Sequence, residues 1–122
     1  FNPLSAILRL KAKDIMKDMN GAGLAIQVVT ECCAVATAKG CPMTASAFMT
    51  ELRNSVGGGT IEDYFPSMAQ GVLMFKRQTE IGTLNGAISK YGKALGIPTP
   101  ANDMITKIIS CIQKNYDKQY QG

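Results

Sequence analysis

The chain has 122 residues, enough for one domain whose core needs neither disulfides nor metal. Apolar residues make up 46% and charged residues 18%, a globular composition that excludes disorder except in the polar tail at 117–122. Thirteen basic against nine acidic residues leave a net charge of +4, scattered rather than gathered into the dense stripe of a nucleic-acid binder, and the absence of histidine excludes Ser-His-Asp and Cys-His catalysis.

The predicted elements are all helical. Residues 1–10 carry Leu4, Ile7 and Leu8 at helical spacing behind an Asn-Pro start. A short segment at 14–19 follows, and Asn20-Gly21 is expected to break it. Residues 22–39 are apolar almost all round, with Leu24, Ile26, Val28, Val29, Cys32, Cys33 and Val35, which predicts a centrally buried helix. Gly40 suits the left-handed position after it, and Thr44 suits the N-cap of a helix over about 45–55 with Phe48, Met49 and Leu52. Gly57-Gly58-Gly59 lacks the G-K-[ST] continuation of a phosphate loop and reads as a flexible connection. Residues 64–76 place Met68, Val72 and Phe75 on one helical face.

The next helix is expected to run from an N-cap at Thr79 to about Leu95. Ile81, Leu84, Ile88, Tyr91 and Leu95 form its inward stripe. At about 100° per residue, Glu80 falls roughly 50° from the centre of that stripe, on the edge of the buried face, and Asn85 about 90° away on the other flank. Gly82 and Gly86 fall on the far side, where small residues admit a backbone or a ligand. The plain role for Glu80 is helix-dipole stabilisation, about 0.3–1 kcal/mol. The plain role for Ser67, after Phe65-Pro66, is a helix cap. Pro3 marks a helix start or bend beside Asn2. Gly96 ends the helix, Thr99 can cap the next, and Pro100 takes the permitted first position of a last helix over about 101–116. The expected fold is all-α, an irregular bundle of about six helices forming one domain over 1–122.

Cys32, Cys33, Cys41 and Cys111 show no C-x-x-C spacing, so neither a metal site nor a disulfide framework is expected, and free thiols in a reducing cytoplasm are the default. No run is read as reaching the roughly 20 apolar residues of a membrane helix, so no membrane partner is expected. The first residue is Phe1, not Met, which suggests a cut within a longer protein.

Four segments in order, "NPLSAIL", "PSMAQGV", "TEIGTLNGAISKYGKALGIPTPAN" and a closing amphipathic helix, resemble the C-terminal helical domain of the ketopantoate reductase (2-dehydropantoate 2-reductase) family. The resemblance covers essentially the whole chain. It implies a domain like the C-terminal domain of 6-phosphogluconate dehydrogenase, closing over a cleft against an N-terminal Rossmann domain. That Rossmann domain and the family's proton-donating lysine would lie before Phe1. The implied reaction is hydride transfer from NADPH, bound mainly by the Rossmann domain, to 2-dehydropantoate, giving (R)-pantoate on the route to pantothenate and coenzyme A.

Carried over position by position, Asn2 and Ser67 match substrate-binding residues. Glu80 matches a residue where substrate, lysine and nucleotide meet, so it is the candidate catalytic and cofactor-contacting group. The chain departs from the family pattern at Gly71 and Gly82, where acidic residues are common, at Ala12-Lys13, and in a Ser67–Glu80 spacing one residue longer. "GAGLAI" at 21–26 follows no strand and does not replace the nucleotide turn. The resemblance implies a cytoplasmic enzyme and is compatible with a homodimer, while this chain alone is expected to be inactive. A reductase of another branched 2-oxo acid and a free-standing helical interaction module are the alternatives.

Overall fold

The structure, a computed structural model, describes residues 2–48, 50 and 67–120, and those residues contain helices and no strand. The all-α expectation therefore holds. The glycine run at 57–59 and the second half of the helix expected at 45–55 lie outside the described residues.

Helix α1 (Asn2–Leu8) begins the fold, with Pro3 in its first turn, where a missing N–H leaves no helical bond unmade. Helix α2 (Ala12–Lys17) is a short turn-and-a-half. Helix α3 (Met19–Ala38) follows after a single residue. The break lies at Asp18, not at Asn20-Gly21. The Asp18 carboxylate accepts the Gly21 N–H at 2.9 Å, so a side-chain cap starts α3 and carries Asn20 and Gly21 into its first turn. Gly21 is required there. A Cβ on it would stand 2.4 Å from the Ile15 carbonyl oxygen, because α2 packs directly on the start of α3.

Two local turn expectations hold. Gly40 has φ +90°, and the Thr44 hydroxyl accepts the Ala47 N–H at 3.1 Å as the helical turn at 45–48 begins. Helix α4 (Ser67–Leu73) buries Met68, Ala69 and Val72 against α1. It stops short of the expected end. Phe75 lies beyond it, exposed, with the Arg77 guanidinium 4.5 Å over its ring.

Helix α5 (Asn85–Leu95) starts five residues later than the periodicity predicts, and residues 81–84 form turns instead. The inward stripe also differs. Ile81, Asn85 and Gly92 are buried, whereas Leu84, Tyr91 and Leu95 are exposed. Close approach explains it: a Cβ on Gly92 would meet Thr99 Cγ2 at 2.7 Å and the Ile97 carbonyl oxygen at 2.8 Å. The exposed Tyr91 ring instead takes the Lys39 ammonium at 3.4 Å. Gly96 ends α5 with φ +73°. Helix α6 (Pro100–Lys114) closes the bundle with Pro100 at its start, and a 3₁₀ turn (Tyr116–Lys118) follows.

The main core joins Leu4, Ala6, Ile15, Ala25, Val28, Met68, Val72, Ile81, Ile105 and Ile109, drawn from every helix but α5 and from the turn before it. Each of the large side chains contributes about 1.5–3 kcal/mol on burial. Helix α3 corrects two expectations. By length and composition it is apolar enough to cross a membrane, with a mean hydropathy of 1.4 over 18 residues. It is also not buried all round. One face packs on α2, α5 and α6, while Leu24 and Ile26 stand exposed. Glu31 on this same helix is occupied in capping α6, which is the work of a core helix.

Candidate functional site

The three residues singled out from the sequence lie in three different segments. Asn2 lies in α1 and Ser67 in α4, and these two helices pack on each other. Glu80 follows in the segment between α4 and α5. Its side chain is exposed, not at the edge of a buried face, because the residues around it form a turn and not a helix. The structure thus brings the Asn2 and Ser67 helices together and leaves the Glu80 carboxylate open to whatever approaches this surface.

The turn that presents Glu80 is strongly tied. The Glu80 carbonyl accepts the Thr83 and Leu84 N–H groups, each at 2.9 Å, and the Thr83 hydroxyl at 3.0 Å. Ile81 is 2% exposed and anchors the turn in the core. Its carbonyl accepts the Gly86 N–H at 2.8 Å, and a Cβ on Gly86 would crowd that carbonyl at 3.1 Å. Gly86 therefore serves a close backbone approach within the turn itself. Gly82 faces open space, and a Cβ there would meet nothing within 4 Å.

Upstream, residues 77–79 run along the end of α6. Tyr116 donates its hydroxyl to the Arg77 carbonyl at 2.5 Å. Gln78 Nε2 donates to the Gln113 carbonyl at 3.3 Å. Thr79 donates both its N–H and its hydroxyl to Gln113 Oε1, at 2.9 and 2.8 Å.

Downstream lies a polar cluster that sequence reasoning missed. Asn102, on the first turn of α6, is fully buried. Its amide donates to Glu31 Oε1 at 2.8 Å and to the Val28 carbonyl at 3.3 Å. Its oxygen accepts the Asn85 amide at 2.7 Å and faces the Cys32 thiol at 3.8 Å. Glu31 also accepts the Ala101 and Asn102 N–H groups at 2.8 and 2.9 Å. A carboxylate from α3 thus caps α6, where its charge also complements the helix dipole. Thr99 occupies the N-cap position as expected but does not cap. Its hydroxyl bonds Asp103 at 3.0 Å. The signal for this cluster was present in "LNG" and "TPAN", whose asparagines are Asn85 and Asn102.

Burial raises the pKa of the Cys32 thiol, with the neighbouring Cys33 adding to the effect, and burial raises Cys33 as well. These are poor nucleophiles. Among the described residues no group of three or more Cys, Asp or Glu could hold a metal ion. The glycines of "GAGLAI" lie inside α3, not at a strand-to-helix turn, so the described residues offer no glycine-rich cradle for a dinucleotide.

The described residues thus form an all-α domain that leaves the Glu80 carboxylate exposed on a tied turn. The chain belongs to the ketopantoate reductase family: the model of the family's C-terminal domain, "Ketopantoate reductase PanE/ApbA C terminal", matches residues 1–113. A 2-dehydropantoate 2-reductase of Pyrobaculum aerophilum is 34% identical over 108 residues, 88% of this chain and 37% of that protein. One of Lactococcus lactis subsp. lactis is 27% identical over 108 residues, again 88% of this chain and 35% of that protein. Among solved structures, D-mandelate dehydrogenase with NADH and anilino(oxo)acetate superposes with a TM-score of 0.87 at 27% identity, over 95% of this chain and 48% of that one. The chain spans little more than a third of the length of these curated relatives.

Proposed function

We propose that this chain is the C-terminal, substrate-facing domain of a two-domain NADPH-dependent reductase that converts 2-dehydropantoate to (R)-pantoate in the cytoplasm. The observation that supports it most is the family match across 1–113, together with the packing of the helices that carry Asn2 and Ser67. In this reading the cofactor is held mainly by the nucleotide domain, and when bound it supplies the hydride. The chain's own part is to bind and orient the 2-oxo acid. Asn2 and Ser67 hydrogen-bond the substrate, and Glu80 orients it or the proton-donating lysine of the other domain. Alone, the chain is inactive. Exposed Leu24, Ile26 and Met104 line an apolar groove of about 600 Å³ with α1, which supports a covering partner such as a second copy.

The test is the steady-state kinetics of the full-length protein. Oxidation of NADPH with 2-dehydropantoate should exceed that with NADH, or with other branched or aromatic 2-oxo acids, by at least about tenfold in kcat/KM. Ser67→Ala should mainly raise KM, as loss of a uniform binding hydrogen bond does. Preference for another 2-oxo acid would reassign the substrate, and no reduction of any 2-oxo acid would remove the enzyme reading.

A further inference from the structure

We propose that Gln113 is a positioning residue for the reaction, setting the place of Glu80 through Thr79. This rests on the reading of Glu80 as an active-site group.

The segment from α4 to α5 must hold an exposed carboxylate still, although exposed turns are ordinarily mobile. Helix α6 supplies the frame. Its first turn holds Asn85, through the buried Asn102, just after the Glu80 turn. Its last turn holds Thr79, through Gln113, just before it. The two attachment points lie about 16 Å apart along the helix at 1.5 Å per residue. Glu80 is suspended between them.

The Asn102 end is a core cluster whose loss would disturb three helices together. The Gln113 end is different. One side-chain oxygen accepts both the N–H and the hydroxyl of the residue next to Glu80. A backbone N–H can only donate, which fixes the amide oxygen as the atom facing Thr79. The Thr79 hydroxyl in turn accepts the Ile81 N–H at 3.3 Å, so the N–H groups of the residues before and after Glu80 both lead to this one oxygen, the first directly and the second through the hydroxyl. Gln113 itself is only half-buried and sits outside the main core. Its side chain is therefore better suited to setting geometry than to holding the fold.

The experiment uses the full-length protein, with NADPH and 2-dehydropantoate, in four forms beside wild type: Gln113→Leu, Gln113→Glu, Glu80→Ala and the Gln113→Leu/Glu80→Ala double variant. Leucine removes the acceptor at similar size, and glutamate keeps it. Gln113→Leu is expected to lower kcat about tenfold, since small misplacements of a reacting group have effects of this order or more. KM should move less than about twofold. Gln113→Glu should recover most of the loss. In the Glu80→Ala background, Gln113→Leu should have no further effect.

If Glu80→Ala lowers kcat but Gln113→Leu does not, the positioning role is overturned while the reading of Glu80 stands. If Gln113→Leu lowers kcat equally in both backgrounds, its effect is not through Glu80 and the proposal is again overturned. If Glu80→Ala behaves as wild type, the reading of Glu80 and this inference fall together. Should Gln113→Leu fold poorly, Thr79→Val, which removes the hydroxyl and keeps the N–H, is expected to give a smaller kcat loss of the same pattern. A Thr79→Val protein with wild-type kcat would overturn the proposal.

Discussion

Asn102→Ala tests the cluster that holds α3, α5 and α6 together. The substitution removes a hydrogen bond to the Glu31 carboxylate at 2.8 Å and leaves the buried Asn85 amide, now donating at 2.7 Å, without its acceptor. A hydrogen bond to a charged group contributes about 1.5–3 kcal/mol, and an orphaned buried donor costs about 1–3 kcal/mol. Part of this is offset, because Glu31 keeps both main-chain N–H groups of the α6 start. The expected loss is about 3–4 kcal/mol, a large share of the roughly 5–15 kcal/mol that holds a domain together. For a chain of this size that lowers Tm by on the order of 10–15 °C. The assay is urea unfolding of the 122-residue chain followed by far-UV circular dichroism, comparing midpoints at unchanged slope. A loss below about 1 kcal/mol would refute the reasoning, since it would mean that Asn85 finds water or another acceptor when Asn102 is gone.

Two further predictions rest on the same packing. Gly21→Ala should destabilise by about 1–3 kcal/mol despite the better helix propensity of alanine, because the new Cβ meets the Ile15 carbonyl. Gly23→Ala, two residues on with nothing within 4 Å, should stabilise by about 0.5–1 kcal/mol, and equal effects in thermal melts would contradict the contact. Asp103 sets an acid limit. Hydrogen bonding to Ser89 and then to Thr99 holds its carboxyl below the usual range. The Ser89 hydroxyl makes no bond of good geometry, so the 3.0 Å Thr99 contact carries the expectation. The folded pKa lies below the unfolded value of about 3.9, so this stabilisation is complete above that value and is lost as pH falls through the folded pKa. Asp103→Asn should flatten the fall in Tm below about pH 4 and leave a small loss at about pH 7, and parallel pH profiles would exclude the contribution.

Much of the fold could be read locally. Gly40, Thr44, Gly96 and Pro100 act within a few residues of themselves, and each stands where turn chemistry puts it. What could not be read depends on distant partners. Glu31 caps a helix 70 residues away, so no window of sequence joins it to Ala101. Asn85 is inward because Asn102 awaits it, and Gly92 because Thr99 crowds it, so an apolar-stripe reading of α5 turns to the wrong face. Ile81 keeps helical spacing with the residues after it but is buried from a turn, which is why periodicity starts the helix five residues early. Of the candidate site, the motifs carried the family, whereas "TEI", expected to open a helix, lies in a tied turn. The ties themselves, Gln113 and Tyr116, lie more than 30 residues downstream and carry no motif signal.

Glu80 is proposed to belong to a reductase active site. The measurement that bears on it most directly is kcat of the full-length Glu80→Ala protein with 2-dehydropantoate and NADPH, alongside its melting temperature. The expected result is turnover at least about tenfold lower with an unchanged Tm, as for a group that contributes in the transition state and stands exposed on a tied turn. Wild-type turnover in the folded variant would contradict it and return Glu80 to the surface.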